Sequence, residues 1–185
     1  EEGPDNLSIR KIANRIECSP GLIYYYFRNK DEILDVLMER GFQKIVDGLE
    51  EVVLSLDHPE HQFRQLIRSY INNALANPKE YKSILLNSSP GVLKYTAVLF
   101  PGASVKESIG MVHRFLKGTY FKGCQDESII ERTVQIVWAA MFGLITRMLI
   151  EEELVPEQRE SLIEQHIEMM LGAVNWMAGK MVKEE

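Results

Sequence analysis

The 185 residues, 45% hydrophobic and 26% charged, are typical of a soluble globular protein of one or two domains. The longest apolar run, IVWAAMFGLI (136–145), is far shorter than the roughly 20 residues that cross a bilayer, and the acidic start EEGPDN does not resemble a signal peptide. Cys18 and Cys124 form no CxxC pair, which argues against a zinc site or a disulfide framework and favours a reducing, cytoplasmic environment.

Positive charge is concentrated near the N-terminus. The whole chain has a formal net charge of −6, which argues against affinity for nucleic acid over its entire surface. Between Ser8 and Lys30, however, the one anion Glu17 accompanies five cations: Arg10, Lys11, Arg15, Arg28 and Lys30. This distribution predicts a small polyanion-binding head on an acidic body that has another task.

Three helix starts are predicted in this head. The segment SIRKIANRI predicts a short helix after an N-cap at Ser8, with one apolar face formed by Ile9, Ile12, Ala13 and Ile16. A second helix begins after Ser19, where a proline occupies the first helical position. Asn29 caps a third helix, with Glu32 in a capping-box position, and its apolar period continues to Leu56 as a long stalk.

Helical periodicity continues through the body. DHPE (57–60) and NPKE (77–80) each combine a capping residue, a proline and a glutamate, and between them lies the stripe Phe63, Leu66, Ile67, Tyr70, Ile71 and Ala74. The prolines and glycines of residues 87–104 predict short helices and turns. Longer helices are predicted over about 105–121, 127–152 and 156–180. The sequence therefore predicts an all-α fold with domains at 1–44 and 45–185.

Two short helices joined by a tight turn are typical of either a DNA-reading helix-turn-helix or a structural corner. Ala13 lies where the helices must approach closely, and the angle between them would be filled by Ile12, Ile16 and Ile23. The stretch SPGLIYYYFRNK (19–30) places four aromatic residues in succession, so that some must face outward. Spacing alone leaves both interpretations open, and it favours DNA binding.

Residues 7–34, LSIRKIANRIECSPGLIYYYFRNKDEIL, resemble the DNA-binding head of the TetR-type (tetracycline-repressor-type) transcriptional regulators. They are similar to the family pattern of a Ser or Thr opening helix two, an I-A pair, S-x-G opening helix three, a Y-x-x-F ending and a K-[DE]-x-[IL] start to helix four. The resemblance implies a dimer that binds a palindromic operator and leaves it when a small molecule enters the body.

Two departures from the family pattern are expected to matter. The family has a further helix before GPDNLS, and we expect this first helix to be missing here. The turn position that usually holds glycine is Glu17, where a positive φ would cost on the order of 1 kcal/mol.

The resemblance assigns DNA contacts to ten residues: Ser8, Arg10, Ser19, Pro20, Gly21, Leu22, Tyr24, Tyr25, Tyr26 and Lys30. Within this set the predicted phosphate contacts are Ser8, Tyr24, Tyr26 and Lys30, and the residues nearest the base edges are Arg10, Pro20, Leu22 and Tyr25. Gly21 would let the helix backbone approach the DNA, whereas Ile23 and Phe27 are assigned to the core.

Aromatic and methionine side chains in the middle helices suit an apolar effector, with few polar groups to orient it. The candidate pocket residues are Tyr70, Asn73, Tyr81, Phe100, Met111, Phe115, Tyr120, Trp138, Phe142 and Arg147. For any single one of them, an ordinary core position is the favoured interpretation.

The last two predicted helices carry apolar residues at helical spacing, which indicates either an internal core or a face that meets a second subunit. The spaced residues are Ile129, Thr133, Ile136, Val137, Ala140, Leu144 and Met148, followed by Leu162, His166, Ile167, Met170, Val174 and Met177. The resemblance implies a four-helix dimer interface, predicted at Ile136, Ala140, Gly143, Leu144, Ile167, Met170 and Val174.

These features together predict a ligand-responsive transcriptional regulator, a repressor released from DNA by a small apolar or amphipathic effector. The alternative is a helical small-molecule-binding or interaction module without sequence-specific DNA binding. The sequence contains no P-loop, dinucleotide glycines or nucleophile motif, so neither an enzyme nor a cofactor is predicted. His58 and His61 form an HxxH with no third ligand close in sequence, and we predict no metal site.

Overall fold

The chain is helical throughout the part that the structure describes. The structure, a computed structural model, describes residues 8–37, 40, 58–85, 92, 93, 96–151 and 153–181, and no strand occurs among them. The helices are α1 (Ile9–Arg15), α2 (Pro20–Tyr26), α3 (30–37), α4 (Pro59–Ala76), α5 (Pro78–Leu85), α6 (Glu107–Thr119), α7 (Glu127–Ile150) and α8 (Pro156–Met181), with a 3-10 turn at Ala103–Val105. The predicted all-α class is confirmed.

The chain divides into two compact units. The first contains Glu1–Lys44 and Lys79–Ala97, and the second contains Ile45–Pro78 and Val98–Glu185. The predicted domains, 1–44 and 45–185, differ from these units in the placement of residues 79–97, and the domain assignment stays a prediction.

Short-range hydrogen bonds start helices α1, α2 and α3 where the sequence predicts. Ser8 Oγ accepts a bond from the Lys11 N–H at 3.2 Å, and Ser19 Oγ accepts one from the Leu22 N–H at 3.2 Å. Asn29 Oδ1 accepts from the Glu32 N–H at 2.9 Å, while the Glu32 carboxylate accepts from the Arg28 N–H at 2.5 Å. All three predicted N-caps are confirmed, because each satisfies an amide that the helix itself leaves unpaired.

A small apolar cluster holds α1, α2 and α3 together. Its buried members are Ile9, Ala13 and Ile23, and packed against them are Ile12, Cys18, Phe27 and Ile33. The prediction that Ile16 fills the angle between the helices is wrong, since Ile16 is 62% exposed. Helix α1 ends at Arg15, so that Ile16 lies in the turn, and Cys18 packs against the cluster instead.

The second unit is built around α7, which contacts α4, α6 and α8. Eight of its side chains are buried, namely Ile130, Thr133, Val134, Val137, Met141, Ile145, Met148 and Leu149. In the described part of the chain α7 is the one helix long and apolar enough to cross a membrane. Its packing against the three other helices accounts for the buried part of this apolar surface.

Helices α4 and α8 are joined by apolar packing and by ion pairs. The predicted apolar stripe on α4 is confirmed. Tyr70 is partly buried, and the five buried residues are Phe63, Leu66, Ile67, Ile71 and Ala74. Arg64 forms a bidentate pair with Glu168, whose second bond is 3.1 Å long. Arg68 pairs with Glu160 and Glu164 one turn away. These contacts fix α4 along α8.

Two side chains on successive turns of α7 hold the segment before α6. The Glu131 carboxylate accepts bonds from the N–H groups of Gly102 and Ser104, both at 3.0 Å. These two amides hold the pKa of Glu131 below its usual value. Gln135 Nε2 donates to the carbonyl oxygens of Val98 and Phe100 at 3.0 and 2.9 Å.

Several helix boundaries differ from the prediction. In DHPE the N-cap position is held by His58, because Pro59 is the first helical residue, and no side-chain bond caps this end. Asn77 serves the end of α4, where its Nδ2 donates to the Asn73 carbonyl oxygen at 2.9 Å. The predicted stalk helix to Leu56 is described over residues 30–37, and its remaining length lies outside the described residues.

Candidate functional site

Helix α2 presents most of its side chains to the outside of the first unit. Ile23 is its buried residue, whereas Leu22, Tyr24 and Tyr26 are exposed and Tyr25 is 80% exposed. The rings of Tyr25 and Tyr26 meet edge to face with their centroids 5.1 Å apart. The four successive aromatics therefore divide as the spacing requires, with Phe27 packed against the buried cluster and three tyrosines outside it.

Cationic side chains lie on both sides of α2 in the sequence. On α1, Arg10 and Arg15 are exposed, and Arg28 is exposed directly after α2. Lys30 follows at the first residue of α3 and is half-buried. An exposed aromatic surface between cations suits a ligand that combines negative charge with flat or apolar groups, as DNA does.

The predicted contacts Ser8 and Ser19 serve as helix caps through their oxygen lone pairs, which leaves each hydroxyl hydrogen available for donation. At Gly21 a Cβ atom would meet only Ser19 Oγ, at 3.8 Å, an ordinary van der Waals distance. The fold of the first unit therefore does not require glycine at this position, and Pro20 precedes it as the first residue of α2.

Glu17 is the one non-glycine residue with positive φ in the described part of the chain, at 55°. It follows the α1 C-cap Ile16, and the next residue, Cys18, donates its N–H to the Ala13 carbonyl oxygen at 2.9 Å. This bond runs from the second residue after the C-cap back to the last turn of α1, as in a Schellman motif. The motif needs a left-handed backbone at the residue directly after the C-cap, here Glu17, and glycine is favoured there. Glu17 thus has the positive φ whose cost the sequence analysis considers.

The ligand candidates belong to both units of the chain. Tyr81 belongs to the first unit, and the other candidates belong to the second. Tyr70 packs against the cluster of Leu66 and Met111, while Trp138 stacks on Phe142 with centroids 5.3 Å apart. Phe100 is partly exposed beneath the Lys106 ammonium, 5.2 Å from its ring centroid.

Two ligand candidates lie at the surface. Arg147 has a 66% exposed side chain and pairs with Glu151 at the end of α7. Asn73 is exposed and its side-chain oxygen accepts a bond from Asn77 Nδ2 at 3.1 Å. Both therefore have polar partners at the surface, and their part in a ligand pocket stays a prediction.

Tyr120 lies among aromatic side chains at the end of α6. Its ring meets those of Phe63 and Phe115 edge to face, each with a centroid separation of 6.2 Å. The buried hydroxyl has no hydrogen-bond partner among the described residues. Burial raises the pKa of Tyr120 to about 12, with the Glu60 carboxylate adding to the rise and the Arg64 guanidinium opposing it.

The predicted dimer residues fall on two different faces of the last two helices. Ile167 and Val174 are 1% and 0% exposed and belong to the core of the second unit. They cannot meet a partner, so the prediction is wrong for them. Ile136 is 66% exposed, Gly143 is exposed, and the remaining candidates are half-buried: Ala140, Leu144 and Met170.

Exposed apolar residues on α8 were missed by the sequence analysis. Met169 and Trp176 are exposed, seven residues apart and therefore on one face of the helix. The Lys180 ammonium lies 4.2 Å from the centroid of the Trp176 ring. The sequence did contain a signal for this face. Trp176 follows Met169 by seven residues, and neither lies on the helix face of the buried residues Ile167 and Val174.

The two histidines of the HxxH are exposed, and their rings lie 5.8 Å apart between centroids. Among the described residues there is no group of three or more His, Cys, Asp or Glu side chains that could hold a metal ion.

Comparison with known proteins identifies the N-terminal segment. Residues 1–43 match the sequence model of the tetR family of bacterial regulatory proteins. An uncharacterized HTH-type transcriptional regulator of Haemophilus influenzae is 32% identical over 92 residues, which cover 45% of this chain and 48% of that protein. One from Mycobacterium tuberculosis is 30% identical over 92 residues, covering 49% of this chain and 39% of that protein. The chain thus spans about half or less of the length of these curated relatives.

Two solved structures share the fold over most of the chain. The fatty acid degradation regulator FadR of Bacillus halodurans has a TM-score of 0.65 at 16% identity and covers 93% of this chain and 88% of its own. FadR of Bacillus subtilis, solved in complex with stearoyl-CoA, has a TM-score of 0.67 at 16% identity and covers 91% and 89%. At this identity the likeness concerns the fold alone. The family match thus concerns residues 1–43, and over the rest of the chain the likeness is one of fold.

Proposed function

We propose that the protein is a ligand-responsive, DNA-binding transcriptional regulator that acts in the bacterial cytoplasm as a dimeric repressor and has no enzymatic activity. The observation that carries this proposal is the outer surface of α2, where Leu22 and three tyrosines project from a firmly packed three-helix cluster between cationic residues. A surface of this kind would otherwise be an unexplained apolar patch on a monomer.

The residues of this surface would make two kinds of DNA contact, to phosphate oxygens and to base edges. Tyr24, Tyr26, Ser8 and Lys30 would position the head by donating to phosphate oxygens, while Arg10, Pro20, Leu22 and Tyr25 would lie nearest the base edges. Gly21 would permit close approach of the α2 backbone, and Ser19 would hold its start. Replacement of a phosphate contact should weaken binding to all sequences alike, whereas replacement of a base contact should change the sequence preference.

The experiment that tests these roles is selection of bound duplexes from a random-sequence library by the wild type and by two variants. Tyr24→Phe removes one hydroxyl and should leave the selected sequence unchanged at lower affinity. Arg10→Ala should change the selected base at one position of each half-site. An identical selected sequence for Arg10→Ala and the wild type would remove Arg10 from the base contacts, and the absence of any selected sequence for the wild type would contradict the proposal as a whole.

Dimer formation is supported by the outward faces of α7 and α8. Ile136, Met169 and Trp176 are exposed there. A Cβ at Gly143 or Gly172 would meet no atom within 4 Å in the single chain, so close packing of the single chain does not explain either glycine. Close approach of a second subunit would explain both. Two heads would then bind half-sites one helical turn apart.

Sedimentation of the full chain tests this dimer. The variant Ile136→Lys places a charge in the proposed interface and should yield monomers, because a buried unpaired charge is costly. Val105→Lys is the matched control, since Val105 is 86% exposed on the 3-10 turn, outside α7 and α8. A wild type that is monomeric at micromolar concentration, or a control that dissociates equally, would contradict the proposed interface.

The proposed effector is apolar or amphipathic. The support is the aromatic group around Tyr120, whose buried hydroxyl has no partner among the described residues and could bind a polar group of an otherwise apolar molecule. The Bacillus subtilis FadR was solved with stearoyl-CoA, so stearoyl-CoA is the first probe. Binding should lower DNA affinity roughly 5- to 150-fold, and DNA should weaken its binding by the same factor.

A second candidate function is favoured by Glu17. Its strained backbone and its negative charge lie at the turn before α2, where both oppose tight DNA binding. A helical small-molecule-binding or interaction module without sequence-specific DNA binding would bear these features without cost to its function. The outcome that selects this candidate is tight binding of stearoyl-CoA by a protein that gives no shift of any duplex at low salt.

A further inference from the structure

Helix α2 has an unusual composition for a helix that reads DNA. Its seven residues are PGLIYYY, and it carries no Arg, Lys, Asn, Gln, Asp or Glu. Those six types supply the paired or single hydrogen bonds that distinguish guanine, adenine and cytosine in the major groove. Apolar side chains, by contrast, distinguish thymine through its C5 methyl group. Apart from the tyrosine hydroxyls, which can donate to or accept from a base edge, the side chains of α2 therefore suit thymine best.

The exposed side chains of α2 form a continuous apolar ridge. Leu22 is half exposed and lies one helical turn before Tyr25 and Tyr26, which occupy the neighbouring positions at three and four residues. The two rings contact each other edge to face, so each restricts the motion of the other. Ile23 faces away from Tyr25 and is buried in the three-helix cluster. The ridge thus projects from a helix whose rotation is fixed by the core.

We propose that Leu22 and Tyr25 read the C5 methyl groups of thymines in the major groove, so that each half-site is thymine-rich where α2 docks. The inference rests on the proposed function and specifies its DNA ligand. The exposed cations Arg10 on α1 and Arg28 directly after α2 would complement the phosphates that flank the groove. Arg10 is the one guanidinium among the predicted base contacts and would supply recognition of guanine outside the α2 segment.

The expected size of the effect follows from the burial of one methyl group. Removing a buried methyl from the interface should weaken binding about fourfold. A dimer that contacts one such methyl in each half-site should lose about fifteenfold when both are removed. Deoxyuracil lacks only this methyl and pairs with adenine as thymine does, so it changes no hydrogen bond at the base edge.

The test begins with the duplex that the full-length protein selects from a random library at 50 mM salt. Each thymine of one half-site is replaced in turn by deoxyuracil, by cytosine and by 5-methylcytosine, and the dissociation constant of each duplex is measured. Deoxyuracil should weaken binding about fourfold at the thymines under α2. The 5-methylcytosine duplex should bind about fourfold more tightly than the cytosine duplex, since it restores the methyl at the same place.

Protein variants connect the methyl to the ridge. In Leu22→Ala the ratio between the thymine and deoxyuracil duplexes should fall to one at the position that Leu22 contacts. Leu22 lies outside the buried cluster, so the variant should keep its helical circular dichroism. Tyr24→Phe is the control, because loss of a phosphate contact weakens both duplexes equally and keeps the ratio.

The outcomes separate the inference from the proposed function. A wild-type protein that selects a sequence but binds its thymine and deoxyuracil duplexes equally would overturn methyl recognition and leave the DNA-binding function standing. A ratio that persists in Leu22→Ala would overturn the role of Leu22 and assign the methyl to Tyr25 alone. A protein that selects no sequence at all would overturn both.

Discussion

Replacement of Glu17 by glycine should stabilise the helix-turn-helix. The left-handed conformation, with φ of 55°, costs a non-glycine residue roughly 1–2 kcal/mol. Glycine removes this cost but makes the unfolded chain more flexible, which returns about 0.4–1 kcal/mol. The net gain should be about 1 kcal/mol. The Schellman bond from the Cys18 N–H to the Ala13 carbonyl oxygen should then break less often.

The measurement is amide hydrogen exchange in the full chain, with Glu17→Gln as the matched control. The glutamine variant removes the charge and keeps the strain, so its exchange at Cys18 should equal that of the wild type. In Glu17→Gly the exchange at Cys18 should slow about fivefold, the factor that corresponds to 1 kcal/mol. Both variants should bind DNA more tightly than the wild type at low salt, because both remove a negative charge near the phosphates.

Equal exchange in the glycine and glutamine variants would refute the reasoning, since it would show that the left-handed conformation at Glu17 carries no cost. Faster exchange in Glu17→Gly would refute it as well. A rise in DNA affinity confined to Glu17→Gly would assign the whole effect on binding to backbone strain and none to charge.

Three further substitutions test separate parts of the structure. Gly21→Ala should leave the fold intact and stabilise α2 by up to about 1 kcal/mol, since the added Cβ fits. The same substitution should weaken DNA binding, and unchanged binding would remove Gly21 from the interface. Arg64→Met should cost less than about 1 kcal/mol in urea unfolding, and the loss should vanish in 1 M salt, because the pair with Glu168 is partly exposed. The pKa of Tyr120 is raised to about 12 in the folded protein, so the unfolded chain loses this proton first and the wild type loses stability as the pH rises from 10 to 12. Tyr120→Phe should lose less stability than the wild type over that range. Equal losses in the two proteins would contradict the raised pKa.

Features that depend on neighbouring residues in the chain could be predicted from the sequence. The caps at Ser8, Ser19 and Asn29 are such features, because each bond joins residues three apart. The positive φ at Glu17 could be predicted for the same reason, from the place of the turn after a short helix. Each depends on a backbone geometry that the local residues themselves determine.

Features that depend on packing between distant helices could not be predicted as well. Helix α7 is apolar on nearly all sides, so its periodicity did not show that Ile136 is exposed while Ile130 is buried. On α8 the same ambiguity placed Ile167 and Val174 in an interface although they are core residues. Which face of an apolar helix is buried depends on which helices surround it, and that information is not local.

The measurement that tests the central claim most directly is the salt dependence of binding to two duplexes, the one selected by the protein and a scrambled duplex of the same composition. We predict that the selected duplex binds at least about a thousandfold more tightly at physiological salt. The slope of log K against log salt should lie between about −2, if Lys30 alone neutralises a phosphate in each of two heads, and about −9, if all five cations of each head do so. Equal affinity for the two duplexes, or binding that does not change with salt, would contradict the account.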